Sequence, residues 1–180
     1  LDLLHGGFQA LKAEGLAEPT ISKRIKVSRQ IFKQAVRWKM ITENPFAEVK
    51  AGVQTNKSRM FFVSREVIDA VLNACPNAEW RAIVALSRFG GLRCPSEHLA
   101  LRWRDIDWDK RRITVWSSKT EGIEGREFRV VPMFRELRAH LEPLYEQAAE
   151  GTEFVITRYR DSTTNLRTRF LGIIARAGQS

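Results

Sequence analysis

Redox and metal chemistry have little to work with in this sequence. Of 180 residues only two are cysteine, Cys75 and Cys94, and three are histidine, His5, His98 and His140. Two cysteines cannot form a disulfide framework or a four-thiolate zinc site, and no histidine has a partner at ligand spacing. The expectation is no metal and no cofactor. Apolar runs are short (Met60 to Val63, Ile83 to Leu86), which excludes a transmembrane helix. No signal peptide opens the sequence, pointing to a reducing cytoplasm. Neither a G-x-S-x-G elbow nor a glycine-rich phosphate loop is present, so the common hydrolase and nucleotide-binding signatures are missing. Acidic residues are in deficit: 21 Asp and Glu against 30 Lys and Arg give a net charge of +9. That excess directs attention to a polyanion, nucleic acid first.

What is present is unevenly distributed. Residues 1–58 hold ten basic and five acidic residues, whereas residues 59–180 hold twenty and sixteen. Asn44-Pro45 ends a helical pattern, because the residue before proline is pushed out of the α region. The polar, aperiodic stretch that follows reads as a linker over 52–58. It divides a first segment, 1–51, from a second, 59–180. Leu1 rather than Met opens the chain, so we expect a slice of a longer protein.

The first segment reads as a weak helix from Leu3 to Glu14 and a stronger one from Pro19-Thr20 to about Met40. At 100° per residue, Ile21, Ile25, Ser28, Ile31, Phe32, Ala35, Val36 and Trp38 share one side. Lys23, Lys26, Arg29, Lys33 and Arg37 share a stripe about 120° wide on the other. Solubility alone is served by mixed signs, so five cations without an acid between them are a candidate DNA-phosphate surface. Two helices cannot enclose a core alone, so either this segment packs on the rest of the chain or partner helices are expected upstream of it.

The second segment reads as α+β, mainly α with a small antiparallel sheet. Helices are expected from Ser64 to Ala74, from Trp80 to Phe89 and briefly from Ser96 to Leu101. Strands follow at Asp105 to Asp109, Arg112 to Trp116 and Phe128 to Val131. A helix from Phe134 to Ala149 carries a kink at Pro143, and a last one runs from Thr163 to Ala177. Phe154 to Ile156 is a short buried segment.

Gly91-Leu92-Arg93, then Glu97, then Leu101-Arg102-Trp103-Arg104-Asp105-Ile106 resembles the tyrosine recombinase, or phage integrase, family. There an arginine follows Gly-Leu, an acid lies one turn on, and Leu-x-Trp-x-Asp-Ile leads into a sheet. Ser118-Lys119-Thr120 stands where that family carries a hairpin lysine, and Arg129-Val130-Val131-Pro132 resembles its return strand. The first segment looks like the later part of the family's helical core-binding domain. Residues 59–180 then correspond to the front of an integrase-like catalytic domain, truncated before the nucleophile.

The resemblance implies a partner and a reaction: site-specific cleavage and rejoining of double-stranded DNA through a 3′-phosphotyrosine, without metal or ATP. Full-length members act as homo-oligomers, commonly tetramers, on the nucleoid. Arg93 would hold non-bridging phosphate oxygens with its planar fork. Lys119 would protonate the 5′-oxygen leaving group, and Glu97 would orient the arginine. Two departures stand out. Arg93 and Glu97 are four residues apart where the family usually has three, the extra residue falling in Cys94-Pro95-Ser96. Asn165-Leu166-Arg167 resembles the family's second arginine box but comes too early and is expected on an ordinary surface helix. Tyr145 and Tyr159 precede it and read as packing residues with wet tips, so no nucleophile is expected here. The rival readings are a non-catalytic DNA-binding protein with the same fold, or an RNA-processing or protein-interaction domain.

Overall fold

The computed structural model describes residues 12–52, 60–117, 127–161 and 164–179. The chain divides into two compact units, Leu1–Phe62 and Val63–Ser180.

In the first unit a single long helix, α1 (Glu18–Arg37), dominates the described residues. No side chain caps its start; Pro19 favours the first turn by fixing φ where the helix needs no N–H. Ile21 and Ile25 are buried together with Phe46 and Val49 from the chain that returns after Asn44-Pro45. The return is pinned by one side chain. Asn44 Nδ2 donates to the Arg29 carbonyl at 3.0 Å, while its Oδ1 accepts the Phe46 N–H at 2.9 Å. Ser22 Oγ adds a bond to the Gly52 carbonyl at 2.5 Å. The apolar side proves narrower than expected, since Ile31 and Trp38 are 61% and 67% exposed. They lie about 120° or more around the helix from Ile25, past the reach of the returning chain.

The second unit is built around a buried helix. α2 (Arg65–Asn73) is capped by Ser64, whose Oγ accepts the Val67 N–H. α3 (Ala78–Arg88) is capped by Asn77, whose Oδ1 accepts the Trp80 N–H. Trp80 and the run Ala82 to Leu86 are all buried, so α3 is apolar nearly all round and is enclosed as such helices are. α5 (Arg135–Glu146) packs along it through Leu137 and Leu141, both fully buried. Each such leucine contributes about 1.5–3 kcal/mol by leaving water. α5 runs on through Pro143 to Glu146.

Between α3 and α5 lie a short helix, α4 (Ser96–Ala100), a 3₁₀ turn at Trp103–Asp105, and three strands. β1 (Ile106–Asp107), β2 (Arg112–Trp116) and β3 (Phe128–Pro132) form an antiparallel sheet in sequence order. In the β2–β3 register Ile113 faces Val131 and Val115 faces Arg129 on the inner side; Trp116 faces Phe128 on the outer. The Leu-x-Trp-x-Asp-Ile pattern has a structural meaning. Leu101, Trp103 and Ile106 are buried, while the Asp105 carboxylate accepts the Arg102 N–H at 3.0 Å and the Trp116 indole N–H at 3.2 Å. The turn is thereby tied to the sheet. Phe154 bridges to Arg102 in antiparallel fashion, and Val155 and Ile156 are buried behind it. α6 (Leu166–Arg176), capped by Asn165, closes the unit.

Candidate functional site

The site begins where α3 stops. The N–H groups of Gly90 and Leu92 both bond the Leu86 carbonyl, each at 3.1 Å. A Cβ at Gly90 would stand 2.8 Å from that oxygen, and Gly91 has φ +62°. One glycine permits the close approach and the other the left-handed turn. The chain then reverses and presents Arg93 ahead of α4.

Glu97 folds back onto that turn. Its Oε2 accepts the Arg93 backbone N–H at 2.7 Å and its Oε1 accepts Arg93 Nη1 at 3.1 Å. The four-residue spacing therefore keeps the acid on the arginine. The Glu97 N–H also reaches the Arg93 carbonyl at 3.0 Å, and the Cys94–Pro95 bond between them is cis. His98, fully buried, meets the same carbonyl through Nδ1 at 3.1 Å, and Ser87 Oγ and the Ile83 carbonyl through Nε2. Burial pushes its pKa down, against the pull of those carbonyls.

A second guanidinium completes the cluster. Arg129, on the inner face of β3, sets Nη1 and Nη2 on the two Glu97 oxygens at 2.7 Å each, and Nη2 also donates to the Gly91 carbonyl at 3.1 Å. Glu97 thus accepts four hydrogen bonds, filling the lone-pair sites of a carboxylate. Arg129, opposed by desolvation and aided by the Arg93 N–H, holds its pKa down at about 2. Side-chain exposure is 3% for Glu97, 37% for Arg129 and 58% for Arg93. Arg93 Nη1 also reaches Ser117 Oγ, 3.3 Å away at the end of β2. Lys119, two residues further on, lies outside the described residues. Among these, no group of three or more His, Cys, Asp or Glu side chains is placed to hold a metal ion.

Sequence reasoning named Arg93 and Glu97, which the structure brings together, but gave no role to Arg129, Ser117 or His98. A signal for Arg129 existed: in Phe128-Arg129-Val130-Val131 strand alternation puts it on the same face as Val131, where a cation needs a partner. The helix stripe separates differently. Lys23, Lys26, Lys33 and Arg37 are exposed on α1. Arg29 turns inward instead, with Nε on the Phe46 carbonyl at 3.1 Å and Nη2 on that of Val49. At the border of the buried arc, its fork serves two backbone carbonyls of the returning chain.

Tyr145 packs against Trp103 and Trp108 with ring centroids 5.0 and 5.5 Å away, and is half exposed. Tyr159 is buried, its hydroxyl accepting from Asn77 Nδ2 at 2.9 Å rather than facing water. Arg167 is exposed on α6.

The profile of the phage integrase family matches residues 62–180, the stretch that contains the whole cluster. The chain belongs to that family. This integrase-family chain is also 30% identical over 132 residues to tyrosine recombinase XerC of Pediococcus pentosaceus, covering 71% of the chain and 42% of that relative. It therefore spans less than half the relative's length. Its fold is similar to that of lambda integrase (residues 75–356), solved as a dimer bound to a COC′ core site. The TM-score is 0.71 at 19% identity, over 96% of this chain and 63% of that one. The Tn1549 transposon integrase (residues 82–397), solved with circular intermediate DNA, matches with TM-score 0.70 at 15% identity, over 96% and 62%. In the terms of this family, the mainly helical α+β fold with its three-stranded antiparallel sheet is that of an integrase catalytic domain. No helix among the described residues is long and apolar enough to cross a membrane.

Proposed function

We propose that this chain supplies a DNA-contacting helix and the first half of the phosphate-binding constellation of a tyrosine recombinase. The observation that carries it is Arg93: inside the matched stretch, its guanidinium is more than half exposed while its partner acid is buried. Arg93 would hold the non-bridging oxygens of the scissile phosphate and stabilise charge building on the pentacovalent intermediate. Lys119 would donate a proton to the departing 5′-oxygen. Glu97 would position Arg93 rather than touch DNA.

On this reading residues 1–51 are part of a helical DNA-binding domain, 52–58 a linker, and 59–180 the front of the catalytic domain. Cleavage through a 3′-phosphotyrosine, and assembly as a homo-oligomer on nucleoid DNA in the cytoplasm, are activities of the full-length protein. Neither tyrosine of the chain is suited to be the nucleophile.

Exposed Lys23, Lys26 and Lys33 would lie against the backbone of the duplex, adding affinity and salt dependence rather than sequence reading. The test is fluorescence anisotropy of this chain with duplex DNA at several salt concentrations. Replacing the three lysines by Ala should reduce the log–log salt slope by about 3. An unchanged slope, or no salt-sensitive binding by the parent chain, would overturn the proposal.

A further inference from the structure

We propose that Arg129 is the positioning residue of this anion site: it occupies the Glu97 carboxylate so that Arg93 stays available for a phosphate. The inference rests on the reading of Arg93 as a phosphate ligand and adds a residue to it.

Three observations support it. The two arginines hold the acid unequally, since Arg129 grips both Glu97 oxygens end-on at 2.7 Å through its paired Nη atoms, whereas Arg93 offers the carboxylate a single Nη at 3.1 Å. Among the described residues no acceptor takes Nε or Nη2 of Arg93, and its side chain is more than half exposed. Charge points the same way. Arg93 and Glu97 alone would be a neutral pair, but with Arg129 the cluster carries one net positive charge. Finally, Arg129 stands on a strand, opposite Val115, and is tied to the Gly91 carbonyl, so its fork is fixed by the sheet on one side and by the glycine turn on the other.

The physical consequence is competition. A carboxylate and a phosphate fit the same guanidinium fork. Without Arg129, Glu97 is deprived of two of its three shortest bonds and remains buried four residues from Arg93. It must then turn its unmet acceptors on Arg93, closing the fork against a phosphate and repelling it.

The experiment titrates inorganic phosphate into the 180-residue chain and follows the arginine side-chain N–H resonances by NMR. In the parent chain the Arg93 resonance should shift saturably. In Arg129→Ala the affinity should fall about tenfold, as expected when the carboxylate takes over one charge-assisted hydrogen bond that the phosphate would have made. In the double variant Arg129→Ala with Glu97→Gln it should return to within about threefold of the parent, because the competing charge is gone. Arg129→Lys, which keeps the charge but not the fork, should fall between parent and Arg129→Ala.

The inference is overturned if Arg129→Lys binds as the parent does. It is equally overturned if the double variant is no better than Arg129→Ala, since Arg129 would then hold the fold or bind phosphate directly. Should Arg129→Ala fail to fold, the Arg129→Lys comparison decides. A parent chain whose Arg93 resonance ignores phosphate would instead sink the reading of Arg93, a distinct outcome.

Discussion

Glu97 binds four donors while almost entirely out of water, and this makes it the residue whose protonation state matters most to the turn at Arg93. Its folded pKa, about 2, lies below its ordinary value of 4.5. The stability it contributes is therefore complete above about pH 4.5 and is lost as pH falls through the window down to about 2. A shift of that size corresponds to about 3 kcal/mol. Urea denaturation of parent and Glu97→Gln chains across pH 2–6 should show a gap that is widest above pH 4.5 and closes toward pH 2. A gap independent of pH would mean that the carboxylate's charge contributes nothing. Arg93 and Glu97 were singled out in the sequence because Gly-Leu-Arg followed by an acid one turn on resembles the motif of the integrase family. For Arg129, strand alternation could tell only that it faces inward; its partner lies 32 residues away on another element, and no local pattern links the two.

At the scale of the element, α1 shows what helical periodicity settles and what it leaves open. Angles of 100° per residue set Lys23, Lys26, Lys33 and Arg37 apart from the buried arc of Ile21 and Ile25, but bring Arg29 to within about 40° of Ile25. They do not say how long side chains at the border will turn. Arg29 sits there, and the chain returning through Asn44-Pro45 offers it two carbonyls. Arg29→Ala should therefore behave unlike the exposed lysines. It should lower the thermal stability of the first unit, by about 1–2 kcal/mol for the two side-chain hydrogen bonds removed, and leave the salt slope of DNA binding nearly unchanged. A slope reduced by one with unchanged stability would return Arg29 to the stripe. Ile31 and Trp38 teach a related lesson: a sequence reports that a face is apolar, whereas burial depends on whether anything packs over it.

For the whole molecule, the second unit is held by interactions between residues far apart in the chain. The clearest is Glu79, buried in the first turn of α3. Its Oε1 accepts the Thr157 N–H at 3.0 Å and the Thr157 hydroxyl at 2.5 Å, and its Oε2 accepts the Arg158 N–H at 3.2 Å. Glu79→Ala removes the acceptors of three donors that lie 78 and 79 residues away in the chain. It should cost about 3 kcal/mol in chemical denaturation, and a loss below about 0.5 kcal/mol would show the link to be dispensable. The fold class was legible because strand alternation in Arg112–Trp116 and the helix starts at Ser64 and Asn77 are local signals, whereas the last helix, expected from Thr163, begins only after the Asn165 cap. Glu79 gave none, since an acid in the first turn of a helix is ordinary on any surface.

The separation between Glu97 and Arg129 also bears on chain entropy. A contact across four residues closes a far shorter loop than one across 32, so ordering the Arg93–Glu97 pair costs less chain entropy than bringing Arg129 to the same carboxylate, which waits on the β2–β3 hairpin.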